Sequence, residues 1–343
     1  VNEQLEALIA ETNKKHPGAL FAASEITRAP RLPSGSLSLD MAMGGGWPTN
    51  IWAEIAGRES SGKTTIAHKT VAACQAADPD FATMWVAAEA YDEAWAKTLG
   101  VDTSRVTLHE SQAMEEVYDR MAEATASKAF NLIVLDSYPA LIPDDEAAKA
   151  MNESSMAAGA RLTGKFFRKA SISRARDGSE RPMLGIFINQ FRDKIGGFAP
   201  HGQTPKTRPG GNAKDYAYSV RLEVARSEYI EEDRPGRGKA RVGQTMKITT
   251  AKNKTFAPGK VASVDFYFED TENLGFAAGQ YDGVKELMMH GVLTEAITRA
   301  GAYYTIGATR VKGREGVLDL LRGDLTAQEE LLSTIRDRTL GRV

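Results

Sequence analysis

An α/β fold with a mainly parallel central sheet is predicted by three observations. Apolar, strand-like runs alternate with helical stretches, the pattern of parallel strands joined by crossover helices. Four of these runs, Ile51–Ala56, Ala82–Ala88, Leu132–Leu135 and Leu184–Ile188, lead into a glycine-rich turn or a polar residue at their carboxyl ends. Three more, Val220–Val224, Met246–Thr250 and Ser263–Phe268, follow one another with little helix between them, which predicts antiparallel additions at one edge.

Composition narrows the class. The chain has 343 residues, with 43 Lys plus Arg against 45 Asp plus Glu, a net charge of −2. That length carries a soft prior of about two domains and buries a substantial core without staples. Hydrophobic residues at 42% and charged residues at 26% exclude wholesale disorder. Cys74 is the single cysteine, which rules out an intrachain disulfide and a Cys-rich zinc site. The five histidines are scattered, without an HExxH pair. Near-neutral charge confines any nucleic-acid binding to a local patch. No apolar run is long enough to span a bilayer. The acidic, polar start is unlike a signal peptide, and Val1 in place of Met points to a processed or trimmed start. The expectation is a cytoplasmic protein with no membrane partner.

Along the chain, Leu5, Leu8 and Ile9 fall at helical spacing with Val1, which predicts a short amphipathic helix over 2–15, ended by Pro17-Gly18. So short a helix is marginal alone, so it docks either on its own core or on another subunit. Pro30, Pro33 and Gly35 mark a linker. From Leu274 the chain turns to short helical pieces rich in Leu, Gly and charge. The predicted division is 1–33 as an N-terminal segment, 34–273 as the core and 274–343 as a small C-terminal domain. Two stretches resist regular structure: Ile142–Ser155, acidic and turn-like, and Gly196–Gly211, rich in Gly and Pro. A loop as long as the second, inside a compact domain, is usually functional or mobile.

The strongest motif is Gly57-Arg58-Glu59-Ser60-Ser61-Gly62-Lys63-Thr64, which fits GxxxxGK[ST] between a strand and the helical run Thr65–Ala77. Its glycines let backbone N–H groups converge on one phosphate, and the helix N-terminus adds partial positive charge. Lys63 is placed to reach the β- and γ-phosphates and the Thr64 hydroxyl to ligate Mg²⁺. Leu132-Ile133-Val134-Leu135-Asp136 is an apolar strand ending in Asp, with Asp136 the second candidate for orienting Mg²⁺. Glu89 and Asn189-Gln190 end two more strands, at the edge where open α/β sheets bind ligands. Glu89 is then the candidate base for the attacking water and Gln190 the candidate γ-phosphate sensor. The plainer alternative for each is a solvated strand terminus.

Taken with other runs in order along the chain, these residues resemble the RecA family of recombinases, including phage-encoded members of the UvsX type. The runs are Ser34-Gly35-Ser36-Leu37-Ser38-Leu39-Asp40, Glu59–Thr65, Leu99-Gly100-Val101-Asp102, Ile133–Ser137, Phe187-Ile188-Asn189-Gln190, Gly210-Gly211-Asn212-Ala213, Ser219-Val220-Arg221-Leu222, Lys252-Asn253-Lys254 and Ala300-Gly301-Ala302-Tyr303-Tyr304. The resemblance implies a RecA-like ATPase core, an N-terminal helix and strand docked on the neighbouring subunit, and a small C-terminal α+β domain. It implies ATP and Mg²⁺ as cofactors, DNA-dependent hydrolysis, and helical filaments on single-stranded DNA that pair it with homologous duplex, with mediator and single-strand-binding proteins as further partners. By position, Glu89 matches the catalytic glutamate, Gln190 the glutamine coupling ATP to DNA, and Asp92 and Trp95 the residues that hold and stack on adenine. Trp95 has the alternative of an ordinary core Trp. Lys252 and Lys254 match lysines that reach the neighbour's ATP. Their i, i+2 spacing puts both on one face of an extended chain, and parity continues the inward face of Met246 and Ile248. The alternative is a strand end that turns into solvent.

For DNA, Arg161, Lys165 and Arg168 fall on one face of a predicted helix. Alone this reads best as a solvated face. The resemblance matches Arg161 and Arg168 to DNA-contacting arginines and makes 142–156 and 195–212 the two DNA-binding loops. Met156 and Ile195 then match apolar wedges between bases, with core packing as the alternative. Arg192, Lys206, Arg208, Gly210, Gly211 and Asn212 complete the expected contacts. Such contacts tolerate any base sequence. The chain departs from the bacterial pattern in a shorter segment after Glu89, Ala87 at a commonly acidic position, a longer Pro-rich second loop and an end at Val343 without an acidic tail. These departures suggest a divergent, phage-type member. A ring helicase motor of the same superfamily, a non-catalytic ATP-binding filament or mediator protein and, without a recognisable acceptor pocket or lid, a P-loop small-molecule kinase are the rival functions.

Overall fold

The computed structural model describes residues 3–16, 18–23, 30–148, 158–170, 182–193, 206–207 and 213–340. Helix α1 (Glu3–Lys15) comes first and buries none of its residues. Strands β1 (Arg31–Leu32) and β2 (Trp47–Pro48) pair antiparallel around helix α2 (Leu37–Met43). The core continues as β3 (Ile51–Gly57), α3 (Lys63–Ala77), β4 (Thr83–Ala87), α4 (Glu93–Thr98), β5 (Val106–Glu110), α5 (Met114–Ser127), β6 (Leu132–Asp136), α6 (Asp144–Ala147), α7 (Ala158–Lys169) and β7 (Leu184–Gln190). A short pair, β8 (Arg192–Asp193) and β9 (Lys206–Thr207), precedes α8 (Ala213–Ala217) and the long strands β10 (Tyr218–Arg234), β11 (Gly238–Asn253) and β12 (Val261–Tyr267). The C-terminal part holds α9 (Gly283–Leu293), a small sheet of β13 (Ile297–Ala300), β14 (Tyr303–Ile306) and β15 (Thr309–Lys312), then α10 (Gly313–Gly323) and α11 (Leu325–Leu340).

The central sheet has eight strands in the order β12-β11-β10-β3-β7-β6-β4-β5. The expected parallel sheet is there. Leu132, Ile133, Val134 and Leu135 of β6 are all fully buried, because helices cover both faces of a parallel strand. One face packs Leu39, Ile55, Ile66, Val71, Trp85 and Ile186 around α3. The other packs Trp52, Val117, Met121, Phe166, Phe187 and Tyr218 around α5 and α7.

Three details differ from the sequence reading. The run Val220–Val224 is antiparallel on one side alone: β10 pairs antiparallel with β11 but lies parallel to β3, so the switch to antiparallel pairing falls between β10 and β11. The β10–β11 hairpin runs far beyond both apolar runs, because its arm is held largely by charge and aromatic contacts around the buried Val242. Tyr229 lies between the guanidinium groups of Arg226 and Arg241, at 4.3 and 4.4 Å from its ring centre. Strand β5, a parallel edge strand beside β4, has no counterpart in the expected set. It is short and half exposed, so it lacks the apolar run that marks a central strand.

Candidate nucleotide site and nucleic-acid interface

The phosphate motif sits where β3 hands over to α3. Gly62 caps α3 with φ +97, a left-handed conformation that disfavours side chains. A Cβ there would also collide with the Met246 Sδ. A Cβ on Gly57 would stand 2.5 Å from both Ser61 Oγ and the Val224 carbonyl oxygen. The turn is therefore as tight as a backbone cradle requires. Within it, the Ser61 hydroxyl is buried with no hydrogen-bond partner among the described residues. Lys63 folds back to donate to the Arg58 carbonyl at 2.7 Å. Burial lowers its pKa, opposed by the nearby Asp136, Glu89 and Glu59 carboxylates.

Adjacent strands bring the other groups to the same edge. In register, Gly57 of β3 pairs with Gln190 of β7, and Ala87 of β4 pairs with Asp136 of β6. The backbone N–H groups of Ala88 and Glu89 both donate to the Asp136 carbonyl, at 2.8 and 3.1 Å. The Ser137 hydroxyl donates to the Glu89 carboxylate. The Thr64 hydroxyl donates to Asp136 Oδ2 at 3.0 Å. Burial pushes the Asp136 carboxyl up to about 6, with the Thr64 hydrogen bond opposing and Glu89 adding to the shift. A hydroxyl and a carboxylate side by side form the hard-oxygen pair that suits Mg²⁺, and the buried Ser61 hydroxyl within the same turn suits a polar ligand.

Asp92 and Trp95 share one turn: Asp92 caps α4 by accepting from the Trp95 N–H at 2.9 Å. The Trp95 ring is half-buried on the core and lies edge-on to Phe266, with ring centres 6.3 Å apart.

The paired lysines depart from the parity argument. An extra residue, Ala251, bulges β11 between the pairs Leu222↔Thr250 and Arg221↔Lys252. Lys252 therefore shares the sheet face of Arg221 and does not continue that of Met246 and Ile248. Both lysines close on the end of α8. Lys252 donates to the Asp215 carbonyl, and Lys254 donates to that of Tyr216 at 3.0 Å. Burial lowers the Lys252 pKa, with Lys254 and Arg221 adding to it.

On α7, Arg161, Lys165 and Arg168 are exposed, while Thr163 and Phe166 face inward. Arg161 reaches Asp145 at 3.5 Å across open surface. Met156, Ile195, Arg208, Gly210, Gly211 and Asn212 lie outside the described residues, as do the side chains of Arg192 and Lys206, whose backbones pair in β8 and β9.

Sequence reasoning missed Ser137 and a buried polar group on the far face of β3. There Glu54 is fully buried and accepts from Asn189, Lys214 and Arg221. The signal was present: a lone Glu inside the apolar strand Ile51–Ala56 has to be paired.

Comparison with known proteins agrees with this geometry. The family described as RecA N-terminal domain matches residues 5–272. Protein RecA of Chlorobaculum parvum is 32% identical over 344 residues, covering 99% of this chain and 92% of the relative. Protein RecA of Lactobacillus johnsonii is 34% identical over 316 residues, covering 91% and 81%. Protein RecA of Macrococcus caseolyticus is 35% identical over 305 residues, covering 88% and 80%. With the family match spanning the sheet and every strand end just described, this chain belongs to the RecA family, whose members bind ATP and DNA in recombination and repair.

Proposed function

We propose that this protein is a DNA-dependent ATPase that forms filaments on single-stranded DNA and drives homologous pairing and strand exchange. The observation that carries the reading is the convergence of Lys63, Thr64, Asp136, Glu89 and Gln190 at one sheet edge. Lys63 binds the β- and γ-phosphates, leaving the Arg58 carbonyl it now contacts. Thr64 and Asp136 hold Mg²⁺, which when bound neutralises phosphate charge. Ser137 orients Glu89, and Glu89 takes a proton from the water that attacks the γ-phosphorus. The bond to the ADP oxygen breaks, and phosphate leaves. Asp92 and Trp95 take the adenine. Gln190 reports γ-phosphate occupancy to the second loop.

Self-association completes the site. Helix α1 presents Leu5 and Leu8 at 48% and 55% exposure, which suits docking on a neighbouring copy. Lys252 and Lys254 exchange their carbonyl partners on α8 for the neighbour's nucleotide. DNA lies along Arg161, Lys165 and Arg168 and the two loops, with Met156 and Ile195 between bases. Among the described residues, no helix is long and apolar enough to cross a membrane. The reading places the protein in the cytoplasm.

The test is the ATPase rate with and without single-stranded DNA, for the wild type and Glu89→Ala. Stimulation by DNA that disappears in the variant is the expected result, followed by strand exchange in a joint-molecule assay. ATP and DNA binding with no turnover under any condition overturns the enzymatic reading in favour of a non-catalytic filament protein. Turnover coupled to duplex unwinding by a fixed-size ring overturns it in favour of a helicase.

A further inference from the structure

Glu54 lies on β3, three residues before the first glycine of the phosphate motif, and is 0% exposed. Its Oε1 accepts from Asn189 Nδ2 at 2.7 Å and from Lys214 Nζ at 3.1 Å. Its Oε2 accepts from Arg221 Nε at 2.8 Å. Lys214 is 1% exposed, and its ammonium also lies 5.7 Å from the ring centre of Tyr138. Arg221 reaches on to Asp215, beside Lys214 on α8.

The two donors to Oε1 come from informative places. Asn189 precedes Gln190 and accepts the Gln190 backbone N–H on its own Oδ1 at 2.9 Å. Lys214 stands in α8, just past the segment that the sequence assigns to the second DNA loop. Asn189 is the next-to-last residue of β7 and Lys214 sits on the short helix that leads back into the sheet at β10, and one carboxylate oxygen holds both.

Burying an ion pair is a poor route to stability, because desolvation offsets the Coulombic gain. A well-packed apolar pair of similar volume would serve the fold at least as well. What the charged arrangement adds is a fixed geometry among three elements: the phosphate strand, the sensor strand and the returning helix. We infer that Glu54 is a positioning residue that couples nucleotide occupancy at Gln190 to DNA affinity by clamping Asn189 and Lys214 on one carboxylate oxygen. A displacement of Gln190 moves Asn189 against Glu54, and Glu54 passes it to Lys214 without the intervening loop. The inference rests on the recombinase reading above.

The test measures single-stranded DNA affinity with a slowly hydrolysed ATP analogue and with ADP, and takes the ratio. Nucleotide affinity and melting temperature are measured on the same samples. Coupling between sites usually amounts to about 5–150-fold, and the wild type is expected in that range. The double variant Glu54→Gln/Lys214→Met removes one charge of each sign, leaves Arg221 with Asp215, and spares the buried site an unpaired ion. It is expected to melt near the wild type and bind nucleotide normally, with the ratio reduced below about twofold. Asn189→Ala cuts the sensor arm and is expected to lower the ratio while the Glu54–Lys214–Arg221 pairing stays intact, so it decides the matter should the double variant not fold. A double variant, or an Asn189→Ala protein, that keeps the wild-type ratio overturns the clamp. A wild type whose DNA affinity ignores the nucleotide overturns the recombinase reading and the clamp together.

Discussion

At the scale of single residues, the exposed cations of α7 have the least structural work to do. Arg161 is 75% exposed at its side chain and pairs directly with the similarly exposed Asp145 at 3.5 Å. An exposed pair of this kind contributes little to stability, so trading Asp145 for a phosphate costs the fold almost nothing. Arg161→Ala with Arg168→Ala is therefore expected to leave the melting temperature within about 1–2 °C of the wild type. Single-stranded DNA binding is expected to weaken alike for every base sequence. If each arginine holds one phosphate, the slope of log affinity against log salt falls by about 0.7 per arginine. Titrations at four or five salt concentrations read this directly, and an unchanged slope removes α7 from the interface. These cations were legible in the sequence as a helical face. Glu54 was legible only as an anomaly, because its partners Asn189, Lys214 and Arg221 come from distant positions that only the folded sheet brings together.

At the scale of elements, the central strands were readable because both faces of a parallel sheet are buried, and such strands are written as unbroken apolar runs. The phosphate turn was readable because its glycines, lysine and threonine serve one local geometry. The bulge at Ala251 was not, since nothing in Thr249-Thr250-Ala251-Lys252 announces an extra residue, and one such residue sends Lys252 to the other face. Packing between elements escapes the sequence in the same way. Gly185 of β7 sits opposite Trp52 of β3. The Trp52 indole lies over it, donates to the Ala170 carbonyl at 2.9 Å, and meets Phe166 and Phe187 edge-on with ring centres 5.2 and 5.6 Å away. A Cβ on Gly185 would collide with that ring. Gly185→Ala is thus expected to cost about 1–3 kcal/mol by overpacking, seen as a lower urea midpoint. An unchanged midpoint would mean the indole has room to move, contrary to the contacts that fix it.

At the scale of the whole molecule, the question is how the C-terminal part is seated on the sheet. Its core of Leu287, Met288, Ile297, Val317, Leu321 and Ile335 recruits Met41 from α2, while Leu39 and Met43 of the same helix face the central sheet. We propose on this basis that 274–343 is a small domain anchored through α2, with 34–273 as the ATPase core and 1–33 as the docking segment. The seat is polar as well as apolar. Glu286 of α9 accepts from the Ser36 hydroxyl at 2.9 Å and the Ser38 N–H at 2.8 Å, and His290 meets the Ser38 hydroxyl at 3.1 Å. Asp40 accepts the Ser34 N–H at 2.9 Å nearby. Burial pushes Glu286 up to about 7, with the Asp40 charge adding to it, and pushes Asp40 up to about 6. Between its unfolded and its native value, each native carboxyl therefore holds a proton that the unfolded chain has already released. Their contribution is most favourable below the unfolded values, 4.5 for Glu286 and 3.8 for Asp40, and it is lost as pH rises through about 7 and about 6 respectively. Glu286→Gln keeps the shape and an acceptor for Ser36 and Ser38 but cannot ionise. The variant is expected to gain on the wild type between pH 5 and pH 8, by on the order of 1–3 kcal/mol at the upper end. Urea unfolding of both proteins at the two pH values checks this. A constant difference between them would mean that Glu286 is charged throughout and that the serine hydrogen bonds outweigh its burial.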